Sequence, residues 1–130
     1  MTNDYRRYPL SRTGGKRRYS VEDWLQENGI EVMYSSREVA KVFGYSRYWV
    51  HQMKREGKLV TATGEPIEPA VVPYPKGVGR AHRWTAKQVR KLAISLYNSG
   101  TISYKDLKEV VRKTMLDEDR MFNTFGKGPL

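Results

Sequence analysis

Cysteine is absent from the 130-residue sequence. Its absence excludes disulfides, thiolate metal sites and cysteine nucleophiles, and it fits a reducing compartment without proving one. The sequence also lacks an apolar run of about 18 residues, so we expect no membrane span. Its N-terminal region has no apolar segment of the kind that signal peptides require. A cytoplasmic location is therefore the expectation.

Residues suited to catalysis are equally scarce. Only two histidines occur, His51 and His82, and both lie in basic surroundings without an obvious acidic partner. No cluster of His, Asp and Glu has the spacing of metal ligands, and no phosphate-binding GxxxxGK motif is present. A solvated helix end explains the acidic run from Asp117 to Asp119. We therefore expect no enzyme activity, no metal and no cofactor.

Positive charge, in contrast, is abundant and is concentrated in blocks. The net charge is +10. Basic residues dominate 1–20, 35–60 and 76–91, whereas residues 21–34 contain four acids and no base. Basic blocks separated by acidic or neutral spacers indicate a surface that binds a polyanion. A generally basic surface without such a partner is the alternative.

The first block forms a basic arm over residues 1–19. Tyrosines are interspersed with its basic residues, which are Arg6, Arg7, Arg12, Lys16, Arg17 and Arg18. Basic arms often follow a groove or the phosphates of a nucleic acid and become ordered on binding. A tail that only improves solubility is the alternative.

Capping residues mark the helix boundaries. A Ser or Thr followed three residues later by an acid or Gln predicts a helix start, and this pattern begins at Ser20, Ser35, Thr85 and Ser103. Glycines 29, 44, 57 and 100 are placed to end helices. Helices are predicted near 20–28, 36–43, 46–56, 86–98 and 103–116, with the last able to extend toward 122. A folded domain over 20–116 and a C-terminal tail over 117–130 follow.

Residues 58–84 cannot be helical, because prolines and glycines recur within them. The segments AVVPYP and RAHRW flank the turn KGVG, which predicts a β-hairpin with a glycine-rich tip. The fold class is therefore mainly α with a small β-hairpin. In the last helix, an apolar stripe from Leu107 to Met115 either completes the core with Leu92, Leu96 and Tyr97 or contacts another protein.

The segment VAKVFGYSRYWVHQMKREG (39–57) predicts two short helices joined by a turn near Gly44. In the second helix, which Ser46 is expected to cap, Val50 and Met53 form a narrow apolar stripe. The remaining surface is basic, aromatic and amide-bearing, as in a helix that enters the major groove, where Arg binds guanine and Gln binds adenine. Trp49 is either part of the core or a contact to DNA.

The longer segment YSSREVAKVFGYSRYWVHQMKREGKLV resembles the first helix-turn-helix of MerR-type regulators and of phage excisionases. The matching elements are Glu38-Val39-Ala40, Phe43-Gly44, Ser46-Arg47 and Arg55-Glu56-Gly57, and HRWTAKQVRKL resembles the end of the family's wing. The resemblance covers roughly residues 34–92. Its wing is longer than usual, and the regulators' long dimerisation helix and effector domain are missing, so the small size fits excisionases better.

The resemblance implies a winged helix-turn-helix that binds double-stranded DNA. On the second helix it implicates Ser46, Arg47, Tyr48, His51 and Gln52. Lys54 and Arg55 lie at the far end of this helix, where cations suit phosphates. Elsewhere the resemblance implicates Arg37 and Lys41 on the first helix, and Arg80, His82 and Arg83 in the wing.

A sequence-specific regulator of phage type, or an excisionase-like accessory factor, is the function that these observations predict. The protein would be located in the host-cell cytoplasm if the gene belongs to a phage. The C-terminal helix is expected to mediate self-association or to contact a recombinase or another protein. The alternatives are a virion or DNA-packaging component, such as a small terminase subunit, and an RNA-binding protein that uses the arm and the aromatic residues.

Overall fold

The structure of the chain, a computed structural model, describes residues 20–73 and 80–125. In chain order their elements are α1 (Val21–Glu27), β1 (Met33–Ser35), α2 (Ser36–Phe43), α3 (Trp49–Arg55), β2 (Ala70–Pro73), β3 (Arg80–Thr85), α4 (Ala86–Asn98) and α5 (Tyr104–Phe125). The described part is mainly helical with one small antiparallel sheet. The predicted fold class is confirmed at that level. The basic arm, the hairpin tip and the last five residues lie outside the described ranges.

The sheet has three strands in the order β1-β3-β2. The hairpin is present as predicted, with β2 antiparallel to β3 and Val71 opposite His82. The sequence indicated only an extended piece near 30–34, whereas β1 pairs with β3 and places Tyr34 opposite Trp84. This pairing joins the segment before α2 to the hairpin, so α2, α3 and the hairpin share one framework.

The four predicted capping residues at helix starts and the predicted terminating glycines are confirmed. The Ser35 and Thr85 side chains each complete a capping box, with Glu38 and Gln88 respectively. Ser20 and Ser103 accept hydrogen bonds from the backbone N–H groups three residues further on. Among the glycines, Gly44 shows why the residue is required, because its φ of 83° is a left-handed conformation that favours glycine.

One hydrophobic core connects the helices to the sheet. Val39 and Ala40 of α2 and Val50 and Met53 of α3 are buried in it, together with Trp84 of β3. The α4 contribution includes Leu92, Ala93 and Leu96, and α5 adds Val110. The prediction for Leu92 and Leu96 is thus confirmed.

Two members of the predicted core are instead exposed. Met115 is 53% exposed and Tyr97 is 40% exposed. Met115 lies on α5 to one side of the buried Val110 and Thr114, whereas Tyr97 lies on α4 with its ring 5.8 Å from that of the exposed Tyr104. The apolar stripe of α5 is wider than its contact with the core.

The last helix does not end near 116 but continues to Phe125. Its C-terminal half is covered by α1, whose Trp24 ring lies 5.3 Å from that of Phe122 in an edge-on arrangement. The acidic run is consequently not a solvated helix end, since Glu118 is buried. Residues 117–125 therefore continue the last helix and pack against α1 through Phe122.

Candidate nucleic-acid interface

A sharp turn sets α3 against α2. It begins at Gly44, after which the Tyr45 N–H donates to the Ala40 carbonyl at 2.9 Å. The helix α3 then starts at Trp49, later than predicted, with Tyr48 in the capping position and no side-chain cap. The prediction that Ser46 caps this helix is wrong, because its backbone carbonyl, and not its side chain, accepts the Trp49 N–H. Ser46 itself is exposed in the turn.

Trp49 supports this turn from inside. Its side chain is buried, with the Tyr45 ring stacked on it at 4.7 Å and the Phe43 ring 4.9 Å away. The three rings join the end of α2, the turn and the start of α3. Of the two alternatives for Trp49, the structure therefore shows the buried one.

The outer surface of α3 is polar throughout. Its buried side chains are Trp49, Val50 and Met53. The exposed ones on this helix and the turn before it include Arg47, Tyr48, His51, Gln52, Lys54 and Arg55, and all of them were predicted site residues. A seven-residue helix thus divides into one apolar side that anchors it and one polar side that faces solvent.

Arg47 and Tyr48 form a pair on this surface. The Arg47 guanidinium lies over the Tyr48 ring at 4.8 Å and also donates to its hydroxyl at 2.7 Å. Tyr48 is 61% exposed, so the two side chains project together into solvent. The pairing holds a cation and an aromatic ring at the N-terminal end of α3, where side chains of a groove-binding helix reach base edges.

A second contact restrains Gln52. Its amide nitrogen donates to Glu56 at 3.2 Å, and Glu56 also pairs with Lys58 at 3.2 Å. The hydrogen bond from Gln52 lowers the pKa of the Glu56 carboxyl. The hydrogen bond and the charge of Lys58 lower this pKa further. Sequence reasoning did not select Glu56, although its position one helical turn after Gln52 is a signal for this contact.

The predicted residues outside α3 lie on α2 and β3. Arg37 and Lys41 are exposed on α2, His82 is exposed on β3, and Arg83 is partly exposed. Helix α2 contacts β3 directly, and the Trp84 indole N–H donates to the Ser36 hydroxyl at 3.0 Å. The backbone of Arg80 lies in β3, but its side chain is outside the described set, as are the arm residues.

The cations of this surface have no acidic partner among the residues that the structure describes. Within 20–73 and 80–125, no ion pair involves Arg37, Lys41, Arg47, Lys54, Arg55 or Arg83. Such groups keep their full charge available for phosphates or base edges. We call the exposed side chains of α2, of the turn, of α3 and of β3 that are named above the basic face. Lys41 also lines a groove between α2, β1 and α5.

The cations between α1, α4 and α5 behave differently. Arg90 pairs with Glu22 at 2.8 Å and with Glu118 at 2.9 Å, and it also donates to the Thr114 hydroxyl at 3.2 Å. Burial raises the pKa of Glu118, although the hydrogen bond and charge of Arg90 act in the opposite direction. Arg90 therefore joins three helices from inside, although the sequence placed it in a basic block expected to bind a polyanion.

A related cluster ties α5 to β1. The buried Tyr34 hydroxyl donates to Asp117 at 2.7 Å, and Lys113 pairs with the same carboxylate at 2.9 Å. Burial, together with the hydrogen bond to Asp117, raises the pKa of the Tyr34 hydroxyl, so it remains a neutral donor. Burial alone would raise the pKa of Asp117, but the hydrogen bonds from Tyr34 and Lys113 lower it below its usual 3.8.

A groove of about 770 Å³ lies between α2, β1 and α5. Its lining includes Tyr34 and Asp117, whose polar atoms already bond to each other. Among the described residues, no group of three His, Cys, Asp or Glu side chains is arranged to hold a metal ion. No helix in the same ranges is both long and apolar enough to cross a membrane.

Comparison with known protein families gives a match over most of the chain. The family described as "Domain of unknown function (DUF7229)" matches residues 24–117, which include every helix and strand from α2 to α4. No curated protein and no solved structure matches the chain. Because the match spans most of the sequence, the chain belongs to the DUF7229 family of domains of unknown function.

Proposed function

We propose that the chain binds double-stranded DNA with sequence preference, using α2 and α3 as a helix-turn-helix and the β2–β3 hairpin as a wing. The observation that carries this proposal is the division of α3. Its apolar residues anchor the helix, and the exposed side chains on it and on the preceding turn are cations, aromatics and an amide, of which, within 20–73 and 80–125, only Gln52 contacts an acid, Glu56. A surface helix of this composition has the donors that base edges and phosphates require.

The role of each side chain follows from its place. Arg47 and Tyr48 lie just before α3 and His51 and Gln52 in its first turn, the end from which side chains reach base edges, and Ser46 adds a hydroxyl to the same end. Lys54 and Arg55 lie at the far end and Arg37 and Lys41 on α2, where they suit phosphates. The wing residues Arg80, His82 and Arg83 would contact phosphates or the minor groove.

The relationship to MerR-type regulators and phage excisionases is part of the same proposal. Its support is the order of elements, in which a helix pair with a glycine turn is followed by an antiparallel hairpin and a capped helix. A phage-type regulator or excisionase-like accessory factor in the cytoplasm is the corresponding biological role. It requires no catalytic group, metal or cofactor.

Selection from a pool of random duplexes tests the proposal directly. We expect a defined motif to be enriched, and a scrambled version of that motif to bind less tightly at the same salt concentration. Equal affinity for all duplexes would contradict base reading. Tighter binding to single-stranded RNA of the same composition would favour the RNA-binding alternative, and a ring of many copies in solution would favour a DNA-packaging component.

A further inference from the structure

The strand β1 forms a free edge of the sheet. Among the described strands it has a partner on one side only, which is β3. The Ala86 N–H donates to the Val32 carbonyl at 2.9 Å, and hydrogen-bonded pairs alternate along an antiparallel ladder. Tyr34 is therefore the residue of β1 that bonds to β3, whereas the N–H and C=O groups of Met33 point away from β3. No hydrogen bond to either group occurs among the described residues outside the ladder.

The groove between α2, β1 and α5 reaches this edge. Val32, Met33 and Tyr34 all line it, although successive side chains of a strand point to opposite faces. Tyr34 faces α5, where its hydroxyl donates to Asp117 at 2.7 Å. Because Met33 faces the other way, a groove lined by both residues extends around the edge of β1. The edge that β3 leaves free is therefore open to the groove.

The groove has the size and the apolar floor of a peptide site. Its volume of about 770 Å³ lies in the range of ligand sites. Its lining on α5 runs from Glu109 to Thr124, a rise of about 22 Å, and about seven residues of extended chain have the same length at about 3.3 Å each. Val42 and Met121, which pack against the core, add apolar surface beside Met33.

The charges at the rim favour an acidic occupant. The three carboxylates in the lining already have partners, which are the Ser35 N–H for Glu38, Arg112 for Glu109, and Tyr34 and Lys113 for Asp117. Lys41, in contrast, has no acidic partner within 20–73 and 80–125. Arg120 is 69% exposed and lies 3.8 Å from Asp117. An added carboxylate therefore meets available cations, whereas an added cation meets no free acid among the described residues.

We propose that this groove binds an extended acidic peptide segment of another protein, which adds a fourth strand to the sheet along β1. Main-chain hydrogen bonds to Met33 supply affinity, as in other peptides that join a sheet edge. Alternate side chains of the peptide lie over the apolar floor, and its carboxylates pair with Lys41 and Arg120. The inference is independent of the proposed function, because peptide binding is measured without DNA.

Fluorescence anisotropy of a labelled peptide with the full chain tests the proposal. The probe is a capped peptide of about seven residues in which valine and glutamate alternate. A valine–lysine peptide of the same length is the charge control. We expect the glutamate peptide to bind saturably and the lysine peptide to bind at least about tenfold more weakly. Absence of saturable binding by the glutamate peptide would overturn the inference.

Methylation of the peptide main chain separates strand addition from general attraction to a protein of net charge +10. N-methyl groups on the valine amides block one edge of the extended peptide, and N-methyl groups on the glutamate amides block the other. Neither modification alters the charge. One of the two should abolish binding and the other should preserve it, because a single edge pairs with β1. Equal effects of the two methylations would contradict strand addition.

Two pairs of variants locate the site on the protein. Met33→Pro removes the outward N–H without touching the bonds to β3 and should weaken binding by about tenfold, whereas Met33→Ala keeps that N–H and should weaken binding less. Lys41→Glu should also weaken binding by about tenfold. Arg37→Glu is its matched control, since it makes the same charge change on α2 outside the groove lining, and it should have a smaller effect.

The remaining outcomes are equally decisive. Circular dichroism of each variant verifies the fold, and the methylated peptides test the main-chain contact without any change to the protein. Equal effects of the Lys41 and Arg37 substitutions would overturn the inference, because they would show that only net charge attracts the peptide. So would a chain that sediments as a dimer alone and as a monomer with the peptide, because a second copy would then be the occupant.

Discussion

Two regions of this molecule use cations in opposite ways, the basic face and the contact between α1, α4 and α5. On the basic face, Arg47, Lys54 and Arg55 are exposed and make no ion pair with another described residue. Between the helices, Arg90 contacts two carboxylates and a hydroxyl. Net charge alone does not distinguish these uses, whereas the presence of an acidic partner does.

The difference separates stability from binding. A paired and partly buried cation stabilises the fold, because its removal leaves buried carboxylates without compensation. An unpaired surface cation contributes little to stability and remains available to an anionic ligand. Substitutions in the two regions should therefore affect different measurements.

The largest expected effect belongs to the inter-helix region. Arg90→Ala should lower the free energy of unfolding by about 3 kcal/mol, because it leaves Glu118 buried and unpaired. Urea denaturation measures the change. Lys91→Ala is the control, since Lys91 is exposed next to Arg90, and should change stability by less than about 0.5 kcal/mol. Equal losses of stability in the two variants would contradict the stabilising role of the Arg90 ion pairs.

On the basic face, Arg47→Ala should weaken binding to a selected duplex by about 1–3 kcal/mol and relax the preference at one base pair. Fluorescence anisotropy with the selected and single-base variant duplexes gives both quantities. Arg112→Ala is the matched control, because Arg112 is an exposed cation paired with Glu109 on α5. A uniform loss across all duplexes would show that Arg47 does not read a base.

The pH dependence of stability should change with Asp117→Asn. The folded-state pKa of Asp117 is lowered from 3.8, so its contribution is present above that pH and is lost as the pH falls through the folded value. The variant should lack this loss. Urea midpoints measured between about pH 2.5 and 6 show the difference. The wild type should take up about one more proton on unfolding in this range than the variant does. An unchanged profile would mean that the contacts with Tyr34 and Lys113 do not favour the ionised carboxylate.

The smallest effect is expected for Glu56→Gln. The substitution removes the acid that engages Gln52 and Lys58, so duplex binding should tighten severalfold at low salt while stability stays constant. The gain should shrink as salt is added, because it is electrostatic. Weaker binding would instead mean that the contact positions the Gln52 amide for DNA.

Local signals in the sequence predicted much of the fold. Capping residues and glycines located α1, α2 and α4 closely, since each signal acts within one helical turn. The start of α3 was misplaced because Ser46 has the residue type of a cap without its geometry. Strand β1 was missed because three residues carry no periodic pattern, and its pairing with β3 depends on residues about fifty positions away.

The candidate site was predictable to a similar degree. The exposure of His51 and Gln52 follows from helical spacing, because Val50 and Met53 mark the buried side of α3. Arg90 was assigned to the wrong kind of surface, because its partners Glu22 and Glu118 are distant in sequence. The burial of Trp49 likewise depended on where its neighbouring rings lie, so only the structure decides between core and contact.

The salt dependence of duplex binding in two matched triple variants tests the central claim most directly. One variant combines Arg47→Ala, Lys54→Ala and Arg55→Ala, and the other combines Lys91→Ala, Lys105→Ala and Arg112→Ala, so both remove the same charge. If the basic face is the binding surface, the first should reduce the slope of log affinity against log salt by about 2 to 3, and the second should leave it unchanged. Equal reductions in the two variants would contradict the account, because they would show that only net charge matters.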